Sequence, residues 1–151
     1  MEEAVPAQTE PHIYIGMPVY LLTHPAAVLG GACRATEVPG RTRFQMLGGG
    51  FHCSVFNALW SACLNARDAG IPYTHFAMQH QDVEPELYWA DKALRIMDRE
   101  EVDLLCVILP IKDDKDITSV GVLDKGQLTT RRLALKEIHN HLPLTFMDEH
   151  L

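Results

Sequence analysis

Tyr73-Thr-His-Phe-Ala-Met78, running into Gln79-His-Gln-Asp-Val-Glu-Pro85, is the stretch on which the fold turns. Its first half is aromatic and apolar enough for a buried strand, and the polar residues from Gln79 onward end the burial. We read a strand over 73–79 that delivers Asp82 and Glu84 to its carboxyl end. Carboxylates at i and i+2 on extended backbone share a side. Such a pair suits a divalent cation carried by a phosphorylated ligand. The competing reading is helix capping, because Pro85 is a favourable first helical residue and carboxylates just before it offset the helix dipole. His80 is either a third ligand or a histidine hydrogen-bonded at the cleft edge.

Upstream, His12-Ile-Tyr-Ile-Gly-Met-Pro-Val-Tyr20 is β-branched and aromatic and reads as the first strand, with Pro18 at or just past its end. Residues 25–36 are small and apolar, a short helix weakened by Gly30-Gly31. Thr42-Arg-Phe-Gln-Met-Leu47 is the second strand, cut off by Gly48-Gly-Gly50. A helix from Phe51 to Ala69 carries an apolar stripe of Phe56, Leu59 and Cys63, with Trp60 and Leu64 beside it. Gly70 and Pro72 stop it. After the third strand, Leu87, Ala90, Leu94 and Met97 recur on one helix face from Pro85 to about Glu100. Asp103-Leu-Leu-Cys-Val-Ile-Leu-Pro110 has the unbroken apolar run of a fourth strand covered on both faces. Residues 117–123 read as an edge strand or hairpin arm. A last helix, capped by Thr129 or Thr130, passes through Leu133, Leu135 and Ile138 and ends before Pro143.

Alternating strands and helices predict an α/β fold: a three-layer, Rossmann-like, mostly parallel sheet. Ligands in such sheets sit beyond the carboxyl ends of the strands. Pro18-Val-Tyr20, Gly48–Gly50 and Asp82–Glu84 all fall at those ends in this reading.

The chain has 151 residues, which suits one domain over 12–151 behind a flexible leader at 1–11. Its 47% apolar content argues for a globular protein, and the net charge of -7 offers no nucleic-acid footprint. Cys33, Cys53, Cys63 and Cys106 are too widely spaced for a zinc ribbon. They read as free thiols in a reducing, cytoplasmic compartment. No apolar stretch reaches membrane-spanning length.

Met17-Pro-Val-Tyr20, the helix bearing Asn57, Asn65 and Arg67, and Phe76-Ala-Met-Gln-His-Gln-Asp-Val-Glu-Pro85 together resemble the nucleotide-diphospho-sugar transferase core. More narrowly they look like family 2-type glycosyltransferases of the GT-A fold, in a minimal or truncated form. The resemblance implies nucleotide contacts at Pro18, Val19 and Tyr20, donor contacts from Asn57 and Arg67, and an Asp-x-Asp motif at Asp82 and Glu84. It further implies Mn²⁺ or Mg²⁺ bridging Asp82, Glu84 and His80 to the diphosphate of a sugar donor, and an acceptor hydroxyl. The chain departs from the pattern where Leu47-Gly-Gly-Gly50 replaces an acidic strand end. Family members are also longer, and the acceptor half here is reduced or absent after about residue 124.

Each candidate also has a structural reading. Gly48–Gly50 precede a helix N-terminus, whose amides hold phosphate, so Gly49 is a candidate contact; simple turn-making explains it equally. Arg67 near a helix C-terminus is favourable without a ligand. Tyr20 stacks on a base or lines the core edge. Asp113 and Asp114, after the fourth strand, are the nominees for activating an acceptor. The alternative function is a non-catalytic nucleotide- or sugar-binding domain, or an oligomeric interaction module completed by a second copy or a partner segment.

Overall fold

The computed structural model describes residues 11–20, 25–49, 51–109, 117–123 and 130–141. The expected leader, apart from Pro11, lies outside them. The chain divides into two compact units, Met1–Asp103 and Leu104–Leu151. Among the described residues no helix is long and apolar enough to cross a membrane.

The first unit alternates β1 (Ile13–Val19), α1 (Pro25–Ala32), β2 (Thr42–Gly48), α2 (His52–Asp68), β3 (His75–Met78) and α3 (Trp89–Arg99). The strands form a parallel sheet in the order β2-β1-β3. β1 is central and buried through Pro18. Its two-residue period divides the core. Ile13 and Ile15 pack with Ala35, Ala90, Phe44 and Leu94 on the α3 side. Tyr14 packs with Cys63, Tyr73 and Phe76 on the α2 side. α1 shares the α3 side, where Trp89 Nε1 donates to the Gly30 carbonyl at 3.1 Å. Helices therefore cover both faces, the arrangement a parallel sheet requires.

Pro18 lies inside β1, aligned with Leu47, although the sequence places it at or past the strand's end. Gly16 O accepts from Gln79 N at 3.0 Å, so even-numbered residues of β1 direct their backbone toward β3. Pro18 is two residues further on, past the last paired residue of β3, Met78. Its missing N–H has no ladder partner to lose.

The buried stripe of α2 is Val55, Leu59 and Cys63; Phe56 is only half-buried, and Trp60 and Leu64 are exposed. Three apolar rows compete on that helix, and packing against β1 decides between them. At its end Gly70 takes φ 92° and donates to Arg67 O at 2.9 Å, a left-handed stop that glycine adopts without strain. The helix expected from Pro85 starts instead at Trp89, because Tyr88 has left-handed backbone (φ 59°). Its amides near the start are met by loop carbonyls: Tyr88 N donates to Arg34 O at 2.7 Å and Ala90 N to Ala35 O at 3.0 Å. Pro85 serves in packing, since a Cβ added at Gly30 would come within 2.5 Å of its ring.

The second unit pairs β4 (Ile117–Leu123) antiparallel with β5 (Thr130–Ala134), followed by α4 (Leu135–His141). The expected final helix thus begins four or five residues late, after a strand. Leu133 is buried from β5 and Ile138 from α4. Ala134 N is capped by Glu137 Oε2 at 2.8 Å, and no threonine hydroxyl is needed for it. The fourth strand expected over 103–110 is absent from the described residues 103–109. Leu104 is 78% and Val107 69% exposed. An apolar run specifies a strand only when a sheet edge takes up its backbone bonds. Here Leu109 O accepts from Ser119 N at 2.8 Å and Leu109 N donates to Ser119 Oγ at 3.2 Å, which is a tie at one residue and not a ladder.

Candidate functional site

β1 lies between β2 and β3: the chain passes from β1 out to β2 and then crosses back over β1 to β3. The strand order therefore reverses between β1 and β3, and in open α/β sheets such a reversal leaves a crevice at the strand carboxyl ends. Tyr20 follows β1, Gln79–Asp82 follow β3, and His52 opens α2 after β2. Three strand ends thereby bring together side chains far apart in sequence. Tyr20 N donates to Gln81 Oε1 at 2.6 Å, tying the two lips. The His52 ring stacks parallel on Tyr20, with centroids 5.5 Å apart and planes within 2°. The His80 ring lies 5.9 Å from His52, tilted by 31°. His80 Nδ1 contacts Asp82 Oδ1 closely, and both side chains are about half exposed (43% and 51%).

The two carboxylates are not presented as the extended-strand reading requires. β3 closes at Met78, and Gln81-Asp82 form a turn. Asp82 engages His80, whereas Glu84 Oε1 lies 3.8 Å from Arg34 Nη1. The capping reading does not describe them either, because the N-cap of α3 is Tyr88 and carries no side-chain cap.

Pro18 is fully buried and Val19 half-buried, so their contribution to a ligand is backbone and shape; Tyr20 is exposed. Gly49 is exposed at φ 102°, where glycine is the residue without strain. Asn57 is exposed little more than a turn into α2. Arg67, fifteen positions after His52, is about 22 Å along the helix axis from it and does not join the crevice. It acts on the Cys63 thiol, whose pKa burial raises and Arg67 lowers in smaller measure. Asp113 and Asp114 lie outside the described residues.

Two glutamines escape a reading based on charged and aromatic residues. Gln81 is the tie on Tyr20. Gln79 is 5% exposed and anchors the start of the His80 turn by donating Nε2 to Ala27 O at 2.7 Å. Its Oε1 is buried without a hydrogen-bond partner. A polar residue ending an apolar strand was the available signal, since buried amides are normally bonded.

Among the described residues no three His, Cys, Asp or Glu side chains gather to hold an ion. No protein-family model, curated protein or solved structure matches the chain. Whatever function is assigned must rest on the crevice itself.

Proposed function

We propose that this protein binds a nucleotide-diphosphate sugar at the carboxyl end of its parallel sheet and acts as a metal-dependent glycosyltransferase on a hydroxyl acceptor, in the cytoplasm. One observation carries the reading: Tyr20, His52, His80 and Asp82 converge at the topological switch between β1 and β3. Crevices of this kind are where open α/β sheets take nucleotides. Tyr20 is 49% exposed with a ring parallel to it on one side, which favours a planar base on the other. The N-terminal end of the 17-residue α2 favours an anionic group.

The donor chemistry fits Mn²⁺ or Mg²⁺ arriving with the diphosphate, since such ions need one or two protein carboxylates and take the rest from phosphate and water. Asp82 would hold the ion, with His80 beside it; Glu84 would join only by leaving Arg34. When bound, the ion offsets charge on the departing diphosphate. Tyr20 orients the base, and Gln81 holds Tyr20 in place. For the acceptor's proton the sequence nominates Asp113 and Asp114, which lie outside the described residues.

The test is calorimetric titration of UDP, GDP and their sugars with and without Mn²⁺, paired with a donor-hydrolysis assay. Metal-dependent binding and turnover, both lost in Asp82→Ala, are expected. Binding without turnover would make the protein a nucleotide-sugar-binding module. The absence of any response to nucleotide with Mn²⁺ would sink both readings.

A further inference from the structure

The geometry points to a transition-metal site formed by His52 and His80, which draws on the same His80 as the diphosphate-bound ion above but adds His52 and needs no phosphate. Two imidazoles sharing one ion, with metal–nitrogen bonds of about 2.0–2.1 Å, hold their centroids about 4.5 Å apart at a right angle, about 5.3 Å at the tetrahedral angle and about 6.4 Å when trans. The His52 and His80 centroids are 5.9 Å apart. Because Asp82 occupies Nδ1 of His80, Nε2 is the nitrogen left to ligate. A carboxylate on the far nitrogen is the usual outer partner of a metal-bound histidine: it sets the tautomer and raises the ring's basicity. His52 is positioned separately, by its parallel stack on Tyr20. Tyr20 is in turn fixed through its amide to Gln81. Both rings are thus placed by neighbours before any ion arrives.

Two imidazole nitrogens favour a borderline ion over a hard one, so the site takes Cu²⁺, Ni²⁺ or Zn²⁺ in preference to Mn²⁺ or Mg²⁺. Water or a ligand's oxygens complete the coordination. The site needs no nucleotide, and this separates it from the transferase reading: ion binding is measured on the protein alone, and either claim can fail without the other.

The experiment is titration of the full chain with Cu²⁺, Ni²⁺, Zn²⁺, Mn²⁺ and Mg²⁺ without nucleotide, with electron paramagnetic resonance of the Cu²⁺ form. A double variant, His139→Ala with His141→Ala, serves as background to remove two of the six other histidines. We expect affinity to follow Mn²⁺ < Ni²⁺ < Cu²⁺ > Zn²⁺, and hyperfine splitting from two nitrogens. His52→Ala and His80→Ala should each weaken Ni²⁺ binding at least tenfold, and Asp82→Asn by about 10–100-fold. Because His12, His24, His75 and His150 also carry nitrogen donors, the splitting assigns the site only if it is lost in folded His52→Ala or in folded His80→Ala, either of which suffices. Unchanged binding in folded His52→Ala or His80→Ala, Mg²⁺ binding as tightly as Ni²⁺, or a Cu²⁺ spectrum without nitrogen splitting would each overturn the site.

Discussion

Gly31→Ala is the substitution through which the packing behind the crevice is best tested. Gly31 is a buried residue of α1. A Cβ there would come within 2.4 Å of Phe44 Cε2 and 2.5 Å of Gln79 Oε1. Both neighbours are confined: Phe44 packs against the Ile13, Ile15, Ala35 and Ala90 cluster, and Gln79 is held to Ala27 O. Either α1 lifts from the sheet or the ring leaves its place. Contacts this short put the overpacking in the upper part of its usual range, about 2–3 kcal/mol, against a gain of roughly 1 kcal/mol from replacing a helical glycine by alanine. The net expectation is a loss of about 1–2 kcal/mol, or roughly 2–8 °C in Tm for a chain of this size. Urea denaturation followed by far-UV circular dichroism measures it. In a Phe44→Leu background the penalty should shrink by at least about 0.5 kcal/mol, because the two positions touch. A Gly31→Ala protein as stable as the parent, or an equal penalty in both backgrounds, would refute the assignment of the cost to the ring.

Asp91 is 7% exposed, accepts from Glu37 N at 2.6 Å and lies 3.6 Å from Arg41 Nη1. Asp91→Ala takes the acceptor from the Glu37 amide and the facing charge from Arg41, whose Nε keeps its bond to Pro11 O. It should cost about 3–5 kcal/mol in denaturant titration; a loss below about 1 kcal/mol would show the pair to be dispensable. His75 has its pKa lowered by burial, so the folded protein binds its proton less readily than the unfolded chain. The stability this protects is complete above the unfolded histidine value of about 6.5 and falls as pH drops through the folded value. Relative to His75→Gln, the parent should therefore lose stability on acidification below about pH 6.5; parallel pH profiles would contradict this.

The individual elements show why the rest of the reading divides as it does. β1, β2 and α2 were legible because each carries a local signal: β-branched residues for the strands, and for the helix an apolar repeat ended by Gly70. The start of α3 was not, because the left-handed Tyr88 and the carbonyls of Arg34 and Ala35 that receive it come from tertiary packing. Leu133, Leu135 and Ile138 fit a helical repeat, yet the first is buried as part of a strand paired to β4. Asp82 was legible as a crevice residue by its place after an apolar strand. Its partner was not: a turn at Gln81-Asp82 set it on His80 and left Glu84 to Arg34.

From the chain alone came the alternation of strands and helices, the parallel sense of the sheet and the strand ends at which polar residues collect. These follow from short-range periodicity and from the helix that parallel pairing demands. Tertiary structure decided the order β2-β1-β3, the face each helix covers and the stack of His52 on Tyr20 with the tilted His80 ring beside it. Contacts between residues remote in sequence depend on which surfaces bury each other, and no local pattern encodes that.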